Sequence, residues 1–116
     1  MRRGDVYWAN IAPRSGPEQT GKRPVVIVSH NGFNLNAHWQ SMIVVPLTTS
    51  SSQAKRGPTA VEIPGGSAGL PKTCNAVCHQ VTTLDRAKLT KRIGALSTSL
   101  LLQLDEGLRA AMDLEQ

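Results

Sequence analysis

The sequence predicts a mainly β chain with one helix: a small, partly open β-barrel of short strands, with a C-terminal helix packed against it. Three observations carry this. Short apolar runs rich in Val and Ile alternate with clusters of Gly, Pro, Asn and Ser, the pattern of strands and turns. Only the stretch after Ser97 sustains helical spacing of apolar residues over several turns. The 116 residues, 40% hydrophobic and 18% charged, suffice for one core and not for two, so residues 1–116 are read as one domain.

Each element has its own warrant. Asp5-Val6-Tyr7-Trp8-Ala9-Asn10-Ile11 is rich in strand formers and gives the first strand. Ala12 to Lys22 holds two prolines and two glycines and reads as a long loop. Pro24 to Ser29 is a continuous apolar run, expected as a strand buried on both faces. His30 to Gln40, with three asparagines, accommodates a helical turn near Phe33. Ser41 to Thr48 is another buried strand, in which Pro46 is expected to limit pairing. Thr49 to Pro58 is polar and reads as a mobile loop. Thr59 to Ile63 is a short strand, and Cys74 to Thr83 is expected as one longer strand. Asp85 is placed to cap a turn through Lys88, and Arg92 to Leu96 forms the last strand. Ser97 caps the terminal helix, whose apolar face is Leu101, Leu104, Leu108 and Ala111; Gly107 is expected to weaken it modestly.

Composition removes several function classes. The net charge of +5 and pI of about 9.8 favour a polyanionic partner. With 3% aromatic residues, a platform stacking several bases is not the expected binding mode. No apolar run approaches the ~20 residues that span a bilayer, and Met1-Arg2-Arg3-Gly4-Asp5 has no signal-peptide core, so the expected compartment is the cytoplasm. Cys74 and Cys78 on one strand would lie roughly 13 Å apart, too far for a disulfide. With His79 on the opposite face of that strand they make no metal set, and no metal or cofactor is expected. There is no P-loop, dinucleotide fingerprint, HExxH or nucleophile elbow.

The stretch with the most chemistry is Pro17-Glu18-Gln19-Thr20-Gly21-Lys22-Arg23-Pro24, which runs straight into Val25-Val26-Ile27-Val28-Ser29. Pro24 biases Arg23 to extended backbone, and the guanidinium fork suits phosphate oxygens. Arg23 therefore has two readings: a phosphate clamp, or an ion pair with Glu18 that holds the loop. Glu18 would orient the arginine, accept a proton or stand as a solvated loop acid, and Gln19 would meet a base edge or brace the loop. Thr48 ends a buried strand, where its hydroxyl donates to a phosphate or to its own backbone. His79 is an acid–base candidate or a satisfied strand histidine. Lys22 stands beside Arg23 in the phosphate reading, and Lys55, Arg56 and Lys72 are candidate backbone contacts for nucleic acid or solvated cations.

Arg3-Gly4-Asp5-Val6-Tyr7-Trp8, Gly16-Pro17-Glu18-Gln19 and Gly21-Lys22-Arg23-Pro24-Val25-Val26 resemble the MazF/PemK/Kid family of toxin endoribonucleases. The likeness continues through Phe33-Asn34, Val44-Val45-Pro46-Leu47-Thr48, Val61-Glu62-Ile63 and Gly69-Leu70-Pro71-Lys72 to His79-Gln80-Val81-Thr82-Thr83-Leu84-Asp85 and Leu104-Asp105-Glu106-Gly107-Leu108. It implies an SH3-like plasmid-maintenance-toxin β-barrel of five to seven strands with a C-terminal helix, usually a homodimer. It also implies a toxin of a type II toxin–antitoxin system that cleaves single-stranded RNA, often mRNA, sequence-selectively and without metal. In that chemistry the 2′-hydroxyl attacks the adjacent phosphorus and leaves a 2′,3′-cyclic phosphate and a 5′-hydroxyl. The implied partners are the RNA and a cognate antitoxin that covers the RNA groove with an acidic segment.

Carried over by motif, Arg23 and Thr48 are the matched pair, with Glu18 and His79 as candidates for proton transfer. Gln19, Lys22, Thr49, Lys55, Arg56, Lys72 and Gln80 are the implied RNA contacts. Five positions depart from the family pattern: Pro17 where some members have His, His79 where many have an acid, Thr82 where many have Arg, and Thr73-Cys74 in place of Asp-Ser. Arginine holds its proton too tightly to be a good base, so Arg23 is expected to stabilise charge on the phosphorane. The competing readings are a barrel toxin that binds a protein target such as DNA gyrase, and a decayed toxin that only binds antitoxin.

Overall fold

The computed structural model describes residues 1–11, 21–49 and 57–114. Within these, seven strands and two α-helices follow in the order β1 (Asp5–Ile11), β2 (Gly21–Ile27), α1 (Asn31–Asn34), β3 (Ser41–Thr48), β4 (Ala60–Ile63), β5 (Cys74–Val77), β6 (Thr82–Asp85), β7 (Leu89–Ala95) and α2 (Thr98–Met112). The strands make one antiparallel sheet in the order β4-β5-β3-β2-β1-β7, with β6 also on β3. The sheet does not close on itself through a ladder, since β4 and β7 are its two ends.

Both faces of the central strands are covered. Val6, Val26, Val45 and Leu47 join Ile63, Leu104 and Leu108 in one core, on the side of α2. Val25, Ile27, Met42 and Val44 join Ala9, Ile11, Leu84 and Leu89 in a second. Neighbours such as Val25 and Val26 thus belong to different cores, which is why this run carries no polar alternation. Strand β2 begins at Gly21, so Lys22 and Arg23 belong to the strand and not to the loop before it.

Two prolines shape the middle of the sheet. The β1–β2 ladder runs through Pro24, opposite Trp8, to Gly21 opposite Ile11. The β2–β3 ladder stops at Val25 opposite Pro46. Proline has no N–H to carry a ladder further, and here Pro24 and Pro46 flank its end. On the β2 side pairing is limited at Pro46, in line with the expectation from the sequence, while on its opposite side β3 stays paired. Its other edge changes partner there, from β6 at Ser41–Val44 to β5 at Leu47 and Thr48.

That change of partner corrects the expected strand from Cys74 to Thr83. Leu47 faces Ala76 and Val44 faces Thr82, so three steps along β3 match six on the other side. A 3₁₀ turn at Cys78–Gln80 takes up the difference. The expectation that Cys74, Cys78 and His79 share one strand, with His79 on the face opposite the cysteines, therefore does not hold.

The helices follow local rules. Asp85 accepts from Ala87 N and caps the 3₁₀ turn Arg86–Lys88. Ser97 accepts from Leu100 N at the start of α2. Gly107 is buried in α2, and a Cβ there would meet Val61 Cγ2 at 2.7 Å and Cys78 Sγ at 2.8 Å. The glycine lets α2 lie directly on β4 and the 3₁₀ turn. Arg3 ties the start of the chain to this helix, donating to Asp105 Oδ1 at 2.7 Å and from Nε to Val28 O at 2.9 Å.

Where the sheet lacks a ladder, the β4–β5 connection meets β7. Gly69 (φ +75°) would place a Cβ 2.3 Å from Ile93 O, and Gly94 would place one 2.3 Å from Ala68 O. Backbone against backbone, at two glycines, completes the barrel on that side.

Candidate functional site

A cleft of about 330 Å³ opens where the β2–β3 ladder ends. Lys22, Arg23 and Pro24 line it from β2, and Leu47, Thr48 and Thr49 from the end of β3. Gly69 to Lys72 supply the opposite wall, with Trp8 of β1 and Ile93 of β7. Ile93 is there because of a register shift in the β1–β7 ladder: Val6 faces Gly94, Tyr7 faces Arg92, and Ile93 is the extra residue.

Arg23 is half-buried and Thr48 is buried. If the β2–β3 register is carried two residues past Val25 and Pro46, Arg23 stands opposite Thr48 across the opening. Lys22 Nζ lies 6.0 Å from the centre of the Trp8 ring, at the outer reach of a cation–π contact. The cleft therefore combines a guanidinium, a hydroxyl and two exposed lysines, Lys22 and Lys72, on an apolar floor that includes Leu47 and Leu70. Chemically, such a set is complementary to an anion with an attached apolar or aromatic group.

Of the residues singled out from the sequence, the structure brings together Arg23, Thr48, Lys22, Thr49 and Lys72. Glu18, Gln19, Lys55 and Arg56 lie outside the described residues. His79 and Gln80 sit on the 3₁₀ turn and are not among the residues lining the cleft. His79 is exposed, with Nδ1 3.3 Å from Thr59 Oγ1. Trp8, Pro71 and Ile93 were not picked out. Trp8 carried a signal, an aromatic side chain within a basic sequence; Pro71 and Ile93 are walls by tertiary placement alone.

The cysteines have no part in this site. Burial raises the pKa of Cys74 and pushes that of Cys78 up to about 12. Cys78 stays a thiol and directs its sulfur toward Leu104 O at 3.9 Å. Neither a nucleophile nor a metal ligand is formed from a thiol held protonated.

Residues 2–112 match the family of PemK-like, MazF-like toxins of type II toxin–antitoxin systems. An endoribonuclease MazF of Staphylococcus epidermidis is 36% identical over 114 residues, covering 98% of this chain and 92% of the relative. Endoribonuclease MazF2 of Mycobacterium bovis is 30% identical over 114 residues, covering 98% of each. A mycobacterial endoribonuclease solved in complex with its cognate antitoxin superimposes with a TM-score of 0.80, at 24% identity, over 100% of this chain and 98% of that one; it shares the fold.

Proposed function

This chain belongs to the PemK-like, MazF-like toxin family of type II toxin–antitoxin systems, and from that premise we propose that it is a metal-independent, sequence-selective endoribonuclease acting on single-stranded RNA. The relatives named as endoribonucleases along nearly the full chain support the activity. The observation that carries its location is the placement of Arg23 and Thr48 on one cleft.

The proposed reaction is transesterification. The ribose 2′-hydroxyl loses its proton and attacks the adjacent phosphorus, the bond to the 5′-oxygen breaks, that oxygen takes up a proton from solvent, and the products are a 2′,3′-cyclic phosphate and a 5′-hydroxyl. Charge grows on the equatorial oxygens of the phosphorane. Arg23, permanently cationic and able to donate twice, stabilises that charge. The Thr48 hydroxyl donates to the same group. Lys22 and Lys72 hold the flanking phosphates, and Thr49 joins them at the cleft edge. Glu18 is the proposed acceptor of the 2′-hydroxyl proton, because Arg23 holds its own proton too firmly and His79, on the 3₁₀ turn, has its Nδ1 3.3 Å from Thr59 Oγ1.

The proposed assembly is a homodimer of one toxin domain per chain, neutralised by a cognate antitoxin whose acidic segment competes with RNA for the cationic cleft. The proposed compartment is the cytoplasm, where mRNA is found; no helix among the described residues is long and apolar enough to cross a membrane. Incubating the purified protein with a long RNA in EDTA tests the reading. Discrete fragments ending in 2′,3′-cyclic phosphate are expected; intact RNA would overturn it.

A further inference from the structure

We propose that Asn75 is a specificity-determining residue of the RNA site, hydrogen-bonding the nucleobase next to the scissile phosphate. The inference rests on the endoribonuclease reading above.

Asn75 is not among the residues that line the cleft but adjoins it on β5, in register with Thr48 of β3 on one side and Glu62 of β4 on the other. Across the opening, the same row reaches Arg23. Residues in register across a sheet share a face and are spaced by about 4.8 Å per strand. One face therefore carries, in order, a cation, a hydroxyl, an amide and a carboxylate.

Asn75 stands out in that row. It is only 9% exposed, within a strand that is otherwise Cys74, Ala76 and Val77. The other buried polar side chains are occupied: Asp5 accepts from Arg2 N and Arg92, and Ser29 and Asn34 bond each other. Thr48 also has a partner. Among the described residues, the Asn75 amide has no hydrogen-bond partner. A buried carboxamide without a partner costs stability that an apolar side chain of similar size would not. A ligand that completes its hydrogen bonds accounts for it.

The chemistry of the row selects the ligand. A carboxamide presents a donor and an acceptor in one plane, as the edge of a nucleobase does. Phosphate is favoured at the Arg23 end and disfavoured at the exposed Glu62 end by charge. With the scissile phosphate at Arg23 and Thr48, the group one strand further along is the base, not the next phosphate.

The test maps the 5′ ends produced from one long RNA by the wild-type protein and by Asn75→Asp, Asn75→Val and Asn75→Ser. Asn75→Asp keeps the shape but exchanges donors for acceptors, so the base preference at one position beside the cut should shift by about tenfold. Asn75→Val should flatten that preference and raise KM more than it lowers kcat. Asn75→Ser, smaller and polar, should do the same if the valine variant misfolds. An unchanged base profile in the variants, with a higher Tm for Asn75→Val, would overturn the proposal and leave a buried amide without a ligand. Wild-type protein that leaves RNA intact would overturn the endoribonuclease reading itself. Binding of an uncleavable 2′-deoxy oligonucleotide mixture by the same variants reads the Asn75 contact independently of cleavage: equal base preference in all four proteins would again refute it.

Discussion

Arg23 and Thr48 line one cleft, each two residues from the Val25–Pro46 pair that ends the β2–β3 ladder. Adjacent strands place the two side chains, so their separation is fixed by the sheet rather than by a loop. If Arg23 stabilises the phosphorane, Arg23→Ala should lower kcat by ~10²–10³ with little change in Tm. Arg23→Lys should recover only part of the loss, because an ammonium lacks the planar fork. For Thr48, the Ser variant should retain activity that the Val variant loses. Single-turnover cleavage of a short RNA measures all four; wild-type rates in Arg23→Ala would remove Arg23 from the chemistry.

Gly107 separates two expectations of opposite sign. Helix propensity alone predicts that Gly107→Ala stabilises α2 by about 1 kcal/mol. The contacts predict the reverse, since the added methyl would lie 2.7 Å from Val61 Cγ2 and 2.8 Å from Cys78 Sγ. Overpacking of this kind costs roughly 1–3 kcal/mol. Thermal unfolding should show Tm falling by about 4–8 °C for each kcal/mol lost. A rise in Tm would mean that α2 shifts away from β4 at little cost.

The glycine contact between the β4–β5 connection and β7 should matter for RNA as well as for stability. Gly94→Ala drives a methyl toward Ala68 O, 2.3 Å away, and so pushes on the segment that carries Lys72 into the cleft. Lower Tm together with a raised KM for RNA is expected. A stability loss with unchanged KM would show that the cleft wall does not depend on this contact.

The buried thiols give a pH signature. Folding raises the pKa of Cys74, and that of Cys78 to about 12, both above the ordinary value of 9.0. In the unfolded chain these thiols lose their protons first, so the unfolded state binds fewer protons and stability falls as pH rises. The Cys78 contribution is complete below pH 9 and is lost between about 9 and 12. Tm measured from pH 8 to 10.5 should decline less steeply in Cys78→Ala than in the wild type. Iodoacetamide should leave Cys78 unmodified until the protein unfolds.

Much of the fold was legible because its signals are local. The bounds of β1 and β3 could be read from their apolar runs, and Asp85 and Ser97 cap the turn and helix they precede. What escaped was set by distant partners. The 3₁₀ turn at Cys78–Gln80 exists because β3 shifts register between two neighbours, and no residue in Cys78-His79-Gln80 announces that. Gly107 looked like a weak point in α2 until its contacts with β4 and the turn were seen. At the site, Arg23 and Thr48 were picked out through family motifs and the ends of apolar runs. His79 was picked out by the same means, yet the turn sets it outside the lining of the cleft. Asn75 carried a faint signal, one amide in an otherwise apolar strand, whose meaning depends on the cross-strand register.

The paired prolines have a consequence for how a substrate is received. Where two strands would otherwise zip together, an incoming RNA would first have to pry them apart. Pro24 and Pro46 leave the end of the ladder unmade in the folded protein. The receiving geometry is preorganised: the chain settles its reorganisation during folding, and binding free energy remains available for gripping the strand and, in the transition state, its strained phosphate.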